Sequence, residues 1–142
     1  MSIEKTTNSP EETMSYAKSI APSFCPGNIY GLNGQMASGK TTFIKGLLMG
    51  MEYNDMVNSP TFTLINEYQL DQTKIFHYDL YKIKRAQELI DIGINDYLNQ
   101  NALHFFEWPK NCASLLPRPN VIIDLINVHS GRLIKVTIKP NE

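Results

Sequence analysis

Eight residues, Gly34-Gln35-Met36-Ala37-Ser38-Gly39-Lys40-Thr41, fit the spacing G-x-x-x-x-G-K-[ST], and that spacing is suited to phosphate chemistry. Gly34 and Gly39 let the backbone curl so that successive N–H groups turn inward toward phosphate oxygens. Lys40 supplies a compact positive charge for the β- and γ-phosphates, and the Thr41 hydroxyl suits Mg²⁺. The next residues, 42–49, carry apolar side chains at helical spacing. They predict a helix whose unpaired N–H groups and positive dipole end lie under the phosphates. The strand that must deliver the chain into this loop is expected over 28–33, although it is short and rather polar for a buried parallel strand.

A phosphate loop needs acids facing it, at the C-terminal ends of neighbouring strands. Glu107 directly follows the apolar run Leu103-His104-Phe105-Phe106, and Asp79 ends a run containing Ile75 and Phe76. One of the two suits the Mg²⁺ water shell and the other suits orientation of an attacking water. Ser59-Pro60-Thr61 has the composition of a switch that meets a γ-phosphate, or of a plain turn before a strand. His77 and His104 lie in apolar runs and read as packed, hydrogen-bonded imidazoles. No histidine has a partner at metal-ligand spacing. Trp108 beside Pro109 reads as packing, and Cys25 and Cys112 as reduced thiols.

The elements that must position these groups read as one α/β domain over 1–142. A mostly parallel P-loop-like central sheet is flanked by helices and carries antiparallel hairpins. Residues 1–9 are expected to be flexible. Ser9-Pro10-Glu11-Glu12 starts a helix with a capping serine, a proline and acids in the first turn, and Ala21-Pro22 stops it. Gly46 and Gly50 are expected to bring the chain out of the loop helix. Residues 62–68 and 74–81 read as a hairpin. Residues 85–98 read as a helix in two pieces broken at Gly93, 102–106 as a buried strand, and 121–126 with 133–138 as a second hairpin. Thirteen Lys and Arg against 14 acids leave no global positive field for nucleic acid. No run is long and apolar enough for a membrane span, so the expected location is cytoplasmic.

Taken together, the loop, Ser59-Pro60-Thr61-Phe62-Thr63-Leu64 with Asn66-Glu67-Tyr68, His77-Tyr78-Asp79-Leu80-Tyr81 and Glu107-Trp108-Pro109 resemble the bacterial TsaE (YjeE) family in order and spacing. Weaker matches at Glu12-Thr13, Glu88-Leu89, Gly93 and Tyr97-Leu98 extend the resemblance over nearly the whole chain. It implies a P-loop ATPase using ATP and Mg²⁺ in a complex with TsaD and TsaB homologues. There it supports threonylcarbamoyl transfer to adenosine 37 of tRNA, with tRNA reached through the complex. It also implies nucleotide contacts at Gln35, Met36, Ala37, Ser38, Gly39, Lys40, Thr41 and Thr42, with Thr61 and Thr13. Lys40, Asp79 and Glu107 take the catalytic roles, and Thr41 and Glu107 the metal roles. The chain departs from the family at Gln35-Met36-Ala37-Ser38, which replace a common D-L-G-A, and at Lys82, where arginine is usual.

Two rival readings fit a bare phosphate loop: a small-molecule kinase and a nucleotide-controlled binding module. The kinases usually close an arginine-rich lid over the phosphates. Here the only arginines, Arg85, Arg118 and Arg132, are scattered singly. By sequence none lies in the loop or beside Ser59-Pro60-Thr61 or Glu107. That distribution leads to the expectation of weak ATPase activity alone and stimulation by partners.

Overall fold

The computed structural model describes residues 1–35, 39–53, 64–80, 83–107 and 116–138. Met36, Ala37, Ser38, the Ser59-Pro60-Thr61 stretch, Lys82, Trp108-Pro109 and Cys112 lie outside them, as do the expectations attached to those residues.

Seven strands form one sheet: β1 (Ser2–Thr7), β2 (Ile29–Gly34), β3 (Ile65–Gln69), β4 (Lys74–Asp79), β5 (Leu103–Glu107), β6 (Val121–Val128) and β7 (Gly131–Ile138). Their order is β1-β7-β6-β2-β5-β4-β3. The central four, β6, β2, β5 and β4, run parallel, while β3, β7 and β1 add antiparallel edges. Among the described residues four α-helices accompany them: α1 (Pro10–Ile20), α2 (Lys40–Gly50), α3 (Ala86–Asp91) and α4 (Ile94–Leu98).

Alternation along the strands divides the core in two. Tyr30, Leu32, Phe105, Ile123 and Leu125 face α1 and α2, where Ala17, Phe43, Ile44, Leu47 and Leu48 cover them. On the other side Phe76, Tyr78, Leu80 and Phe106 meet Leu89 of α3 and Ile94 of α4. The polar look of β2 is explained by this division. Tyr30 and Leu32 alone supply its apolar face, and Tyr30 forms a three-ring cluster with Phe24 and Phe105 at ring separations of 4.7 and 4.8 Å. The Tyr78 and Phe106 rings stack nearly parallel, 4.1 Å apart, on the opposite face.

The α1 boundaries follow the capping chemistry. Ser9 Oγ accepts from the Glu12 N–H, and the Glu12 carboxylate accepts from the Asn8 N–H. Helix α1 then gives way at Ala21–Ser23 to a short 3₁₀ turn. The break between α3 and α4 falls at Gly93 as expected, and both hairpins form.

One expectation is corrected and another refined. The stretch 1–9 was expected to be flexible, yet Ser2–Thr7 is the edge strand β1, paired with β7 along its whole length. All of it except Thr7 is exposed, so backbone hydrogen bonds hold it and no buried stripe marks it in the sequence. The chain leaves the loop helix at Met51, where it was expected to, with Gly50 as the last residue of α2, but Gly46 and Gly50 also serve another purpose. Both lie within α2, where a side chain at Gly46 would collide with the Met14 carbonyl and the Ala17 methyl of α1. At Gly50 it would meet Lys18 and Ala21. They are the points at which α1 and α2 come into contact, one helical turn apart.

Candidate functional site

The chain leaves β2 at Gly34, passes Gln35, which is exposed, and enters α2 at Lys40. Gly39 caps α2 with φ of 98°, a left-handed conformation that strains any residue with a Cβ. Its carbonyl accepts the first helical hydrogen bond, from the Phe43 N–H at 2.8 Å. The result is a strand–loop–helix unit whose helix N-terminus opens at the C-terminal edge of the parallel strands. Strands β6 and β5 lie on opposite sides of β2, so the unit occupies the switch point where open α/β sheets take ligands.

Glu107 ends β5 on the face that α2 covers, and Lys40 reaches it. Lys40 Nζ lies 2.5 Å from Glu107 Oε1, with only 21% and 12% of the two side chains exposed. The other carboxylate oxygen accepts a 2.8 Å hydrogen bond from His77 Nε2 on β4. A carboxylate only accepts, so His77 carries its proton on Nε2. Its Nδ1 is buried with no hydrogen-bond partner among the described residues. Burial pushes the Glu107 carboxyl upward, but the hydrogen bonds from His77 and Lys40 and their charges outweigh it and hold the group below the usual carboxylate range. Glu107 is therefore an ionised, doubly held base at neutral pH.

Asp79 is in register with Glu107 on the adjacent parallel strand and so points to the same side of the sheet. Its N–H donates to Leu64 O at 2.8 Å, and the Leu80 N–H donates to Glu107 O at 3.1 Å, tying both strand ends together. Thr41 and Thr42 occupy the first turn of α2, partly exposed. The structure thus brings Lys40, Thr41, Glu107 and Asp79 to one edge. Thr13 is different: it is buried in α1, with its hydroxyl 2.6 Å from that of Thr7.

Sequence reasoning left two neighbours out. His77 was read as a packed imidazole, and it is packed, yet it also orients Glu107. The alternation of β4 carried that signal, since His77 and Asp79 share a face. The other is Arg132 at the start of β7: a methyl group built on Gly39 would lie 4.0 Å from its Nε. Only the pairing of β6, β7 and β2 reveals that proximity. His104, in contrast, faces the opposite core. Its Nε2 donates to Gln100 O, it accepts from the Tyr78 hydroxyl, and burial lowers its pKa so that it stays neutral.

Fold and site together define a mixed α/β protein with a seven-stranded sheet flanked by helices. A lysine-bearing strand–loop–helix unit faces two strand-end carboxylates at its switch point. Residues 7–134 match the family described as threonylcarbamoyl adenosine biosynthesis protein TsaE, and the chain belongs to that family. Relatives named tRNA threonylcarbamoyladenosine biosynthesis protein TsaE include those of Haemophilus influenzae and Bacillus subtilis. The first is 34% identical over 78% of this chain and 70% of its own length. The second is 36% identical over 82% of this chain and 73% of its own length. A crystal structure of Bacillus subtilis YdiB superposes with a TM-score of 0.80 at 28% identity, covering 99% of this chain and 88% of that one. Among the described residues, no helix is long and apolar enough to cross a membrane.

Proposed function

We propose that the protein is a P-loop ATPase that binds ATP with Mg²⁺ at the β2–α2 junction. It hydrolyses ATP within a complex of TsaD and TsaB homologues, in support of threonylcarbamoyl transfer to adenosine 37 of tRNA. The observation that carries this reading is the Lys40–Glu107–His77 chain at the head of α2. It holds a cation where phosphates would sit and an ionised carboxylate beside it. The relatives' name, tRNA threonylcarbamoyladenosine biosynthesis protein, supports the pathway.

The donors at this edge fit Mg²⁺. The Thr41 hydroxyl and the carboxylates of Glu107 and Asp79 are hard oxygens, and no cluster of three His, Cys, Asp or Glu groups competes for a softer ion among the described residues. When bound, Mg²⁺ neutralises charge on the phosphate oxygens. The chain's own groups do the rest. Lys40 and the first N–H groups of α2 bind the phosphates, Thr41 and Glu107 hold the metal, and Asp79 orients water for attack in line with the leaving group. Lys40 must exchange Glu107 for phosphate as nucleotide enters, which frees the Glu107 oxygen it occupied.

Steady-state ATP hydrolysis and nucleotide titration on Asp79→Ala and Glu107→Ala test this division of roles. Both variants are expected to retain nucleotide and lose turnover. Wild-type turnover in both would make these acids ordinary surface groups.

A further inference from the structure

Strand β1 ends the sheet, and among the described residues nothing pairs with its outer side. The Ile138 N–H donates to Met1 O at 2.9 Å. Successive residues of an antiparallel ladder turn their backbone groups to opposite sides, so Met1, Ile3, Lys5 and Thr7 bond to β7. Ser2, Glu4 and Thr6 therefore direct their N–H and C=O groups outward, a template for one more strand. Apolar side chains flank that template. Ile3 is in register with Val136 and shares the face that α1 and α2 cover, yet it is 51% exposed. Met1 and Ile138, on the same face, are exposed beside it.

The charges of the edge select its occupant. Glu4 and Lys5 stand together in the middle of β1. Two copies of the strand pair about a two-fold axis, which sets one residue opposite its own counterpart. An axis at Glu4 sets carboxylate against carboxylate, and one at Lys5 sets ammonium against ammonium; like charges directly opposite are destabilising. An axis at Thr6 draws in Asn8, whose N–H is already given to the Glu12 carboxylate, and Pro10, where α1 starts. An axis at Ser2 overlaps Met1 to Ile3 alone. An axis at Ile3 has none of these faults. Ile3 then faces Ile3 of the second copy, Ser2 faces Glu4, and Met1 faces Lys5, whose methylene stem covers it.

We infer that β1 is a self-association edge, to which a second copy of this chain adds its own β1 antiparallel in the register centred on Ile3. Ser2 and Glu4 of each copy exchange backbone hydrogen bonds with Glu4 and Ser2 of the other. The two Ile3 side chains meet at a non-hydrogen-bonded pair, where side chains come closest, and Val136 continues the apolar contact on each side. Glu4 keeps Lys135 opposite it on its own β7. A contact from Met1 to Lys5 falls short of a standard interface of about 800 Å² per partner, so the dimer is weak and forms as concentration rises. It lies at the end of the sheet away from β4 and β5, leaving the Asp79–Glu107 edge open.

The test is sedimentation velocity over about 10–500 μM, the range of a weak interface. Wild type is expected to pass from monomer to dimer across it. Ile3→Lys places two ammonium groups at the axis and removes the apolar contact, so association should weaken about ten-fold or more. A melting curve checks that this variant is folded. In a Cys25→Ser, Cys112→Ser background, Ile3→Cys should cross-link to itself under mild oxidation. Lys5→Cys should not, because Lys5 lies opposite Met1. Wild type that stays monomeric at every concentration would overturn the inference and leave the edge to a different partner. Dimers of folded Ile3→Lys as tight as those of wild type, or cross-linking of Lys5→Cys as fast as that of Ile3→Cys, would overturn it too.

Discussion

Replacing Glu107 by Gln should tighten the binding of metal-free ADP, although it removes a group at the centre of the site. Lys40 is engaged with Glu107, so a phosphate must displace that carboxylate before Lys40 can pair with it. Two unit charges in contact near a protein surface attract by about 4 kcal/mol at an effective dielectric of about 20. Desolvation of a pair this well buried cancels much of that, leaving roughly 1–2 kcal/mol to be overcome. Glutamine removes that competition and the repulsion between carboxylate and phosphate, while its carbonyl still accepts from His77. Titration calorimetry with ADP and chelator is expected to show affinity higher by about 5- to 30-fold. Leaving out Mg²⁺ keeps any metal-holding role of Glu107 from offsetting the gain. Equal or weaker binding, in a variant that melts like wild type, would show that the Lys40–Glu107 pair does not compete with nucleotide.

Three further outcomes are expected. Thr41→Ala should lose the Mg²⁺ dependence of nucleotide binding more than binding itself, as read by ATP titration with and without the metal. Gly46→Val should destabilise the fold by about 1–3 kcal/mol or more through the clash between α2 and the α1 backbone. A denaturant melt would measure this, and unchanged stability would mean that the two helices are not in close contact there. Stability should also fall in two stages on acidification. His104 has a lowered folded pKa, so the unfolded chain takes up its proton first, and stability declines as pH drops below the ordinary histidine range. Glu107, also lowered, contributes fully above the ordinary carboxylate range, and that contribution is lost as pH falls through its folded value. Glu107→Gln should flatten only the lower stage of a pH-resolved thermal melt.

Much of the fold was legible because its signals are local. The capping chemistry at Ser9, the apolar run of β5, the break at Gly93 and the turn between β6 and β7 each lie within a few residues. What stayed hidden depends on neighbours distant in the chain. Strand β1 buries almost nothing and is held by the edge it completes, so no hydrophobic period betrays it. Gly46 and Gly50 look like helix breakers until α1 is laid against them. The same holds at the site. Lys40, Thr41, Asp79 and Glu107 were picked out by residue type and strand-end position, whereas the His77 contact with Glu107 spans 30 residues of sequence. Arg132 came near Gly39 only through a sheet order that no single segment encodes.

The proposal that this edge hydrolyses ATP is tested most directly by steady-state Mg–ATP turnover of wild type and Lys40→Ala, each alone and with a TsaD–TsaB complex. By sequence none of the chain's three arginines lies in the loop or beside Ser59-Pro60-Thr61 or Glu107. Efficient P-loop hydrolysis usually draws on such a cation. Slow turnover by the isolated wild type, clear acceleration by the partners and no turnover from Lys40→Ala under either condition are predicted. Turnover that persists in Lys40→Ala, or full wild-type activity indifferent to the partners, would contradict it.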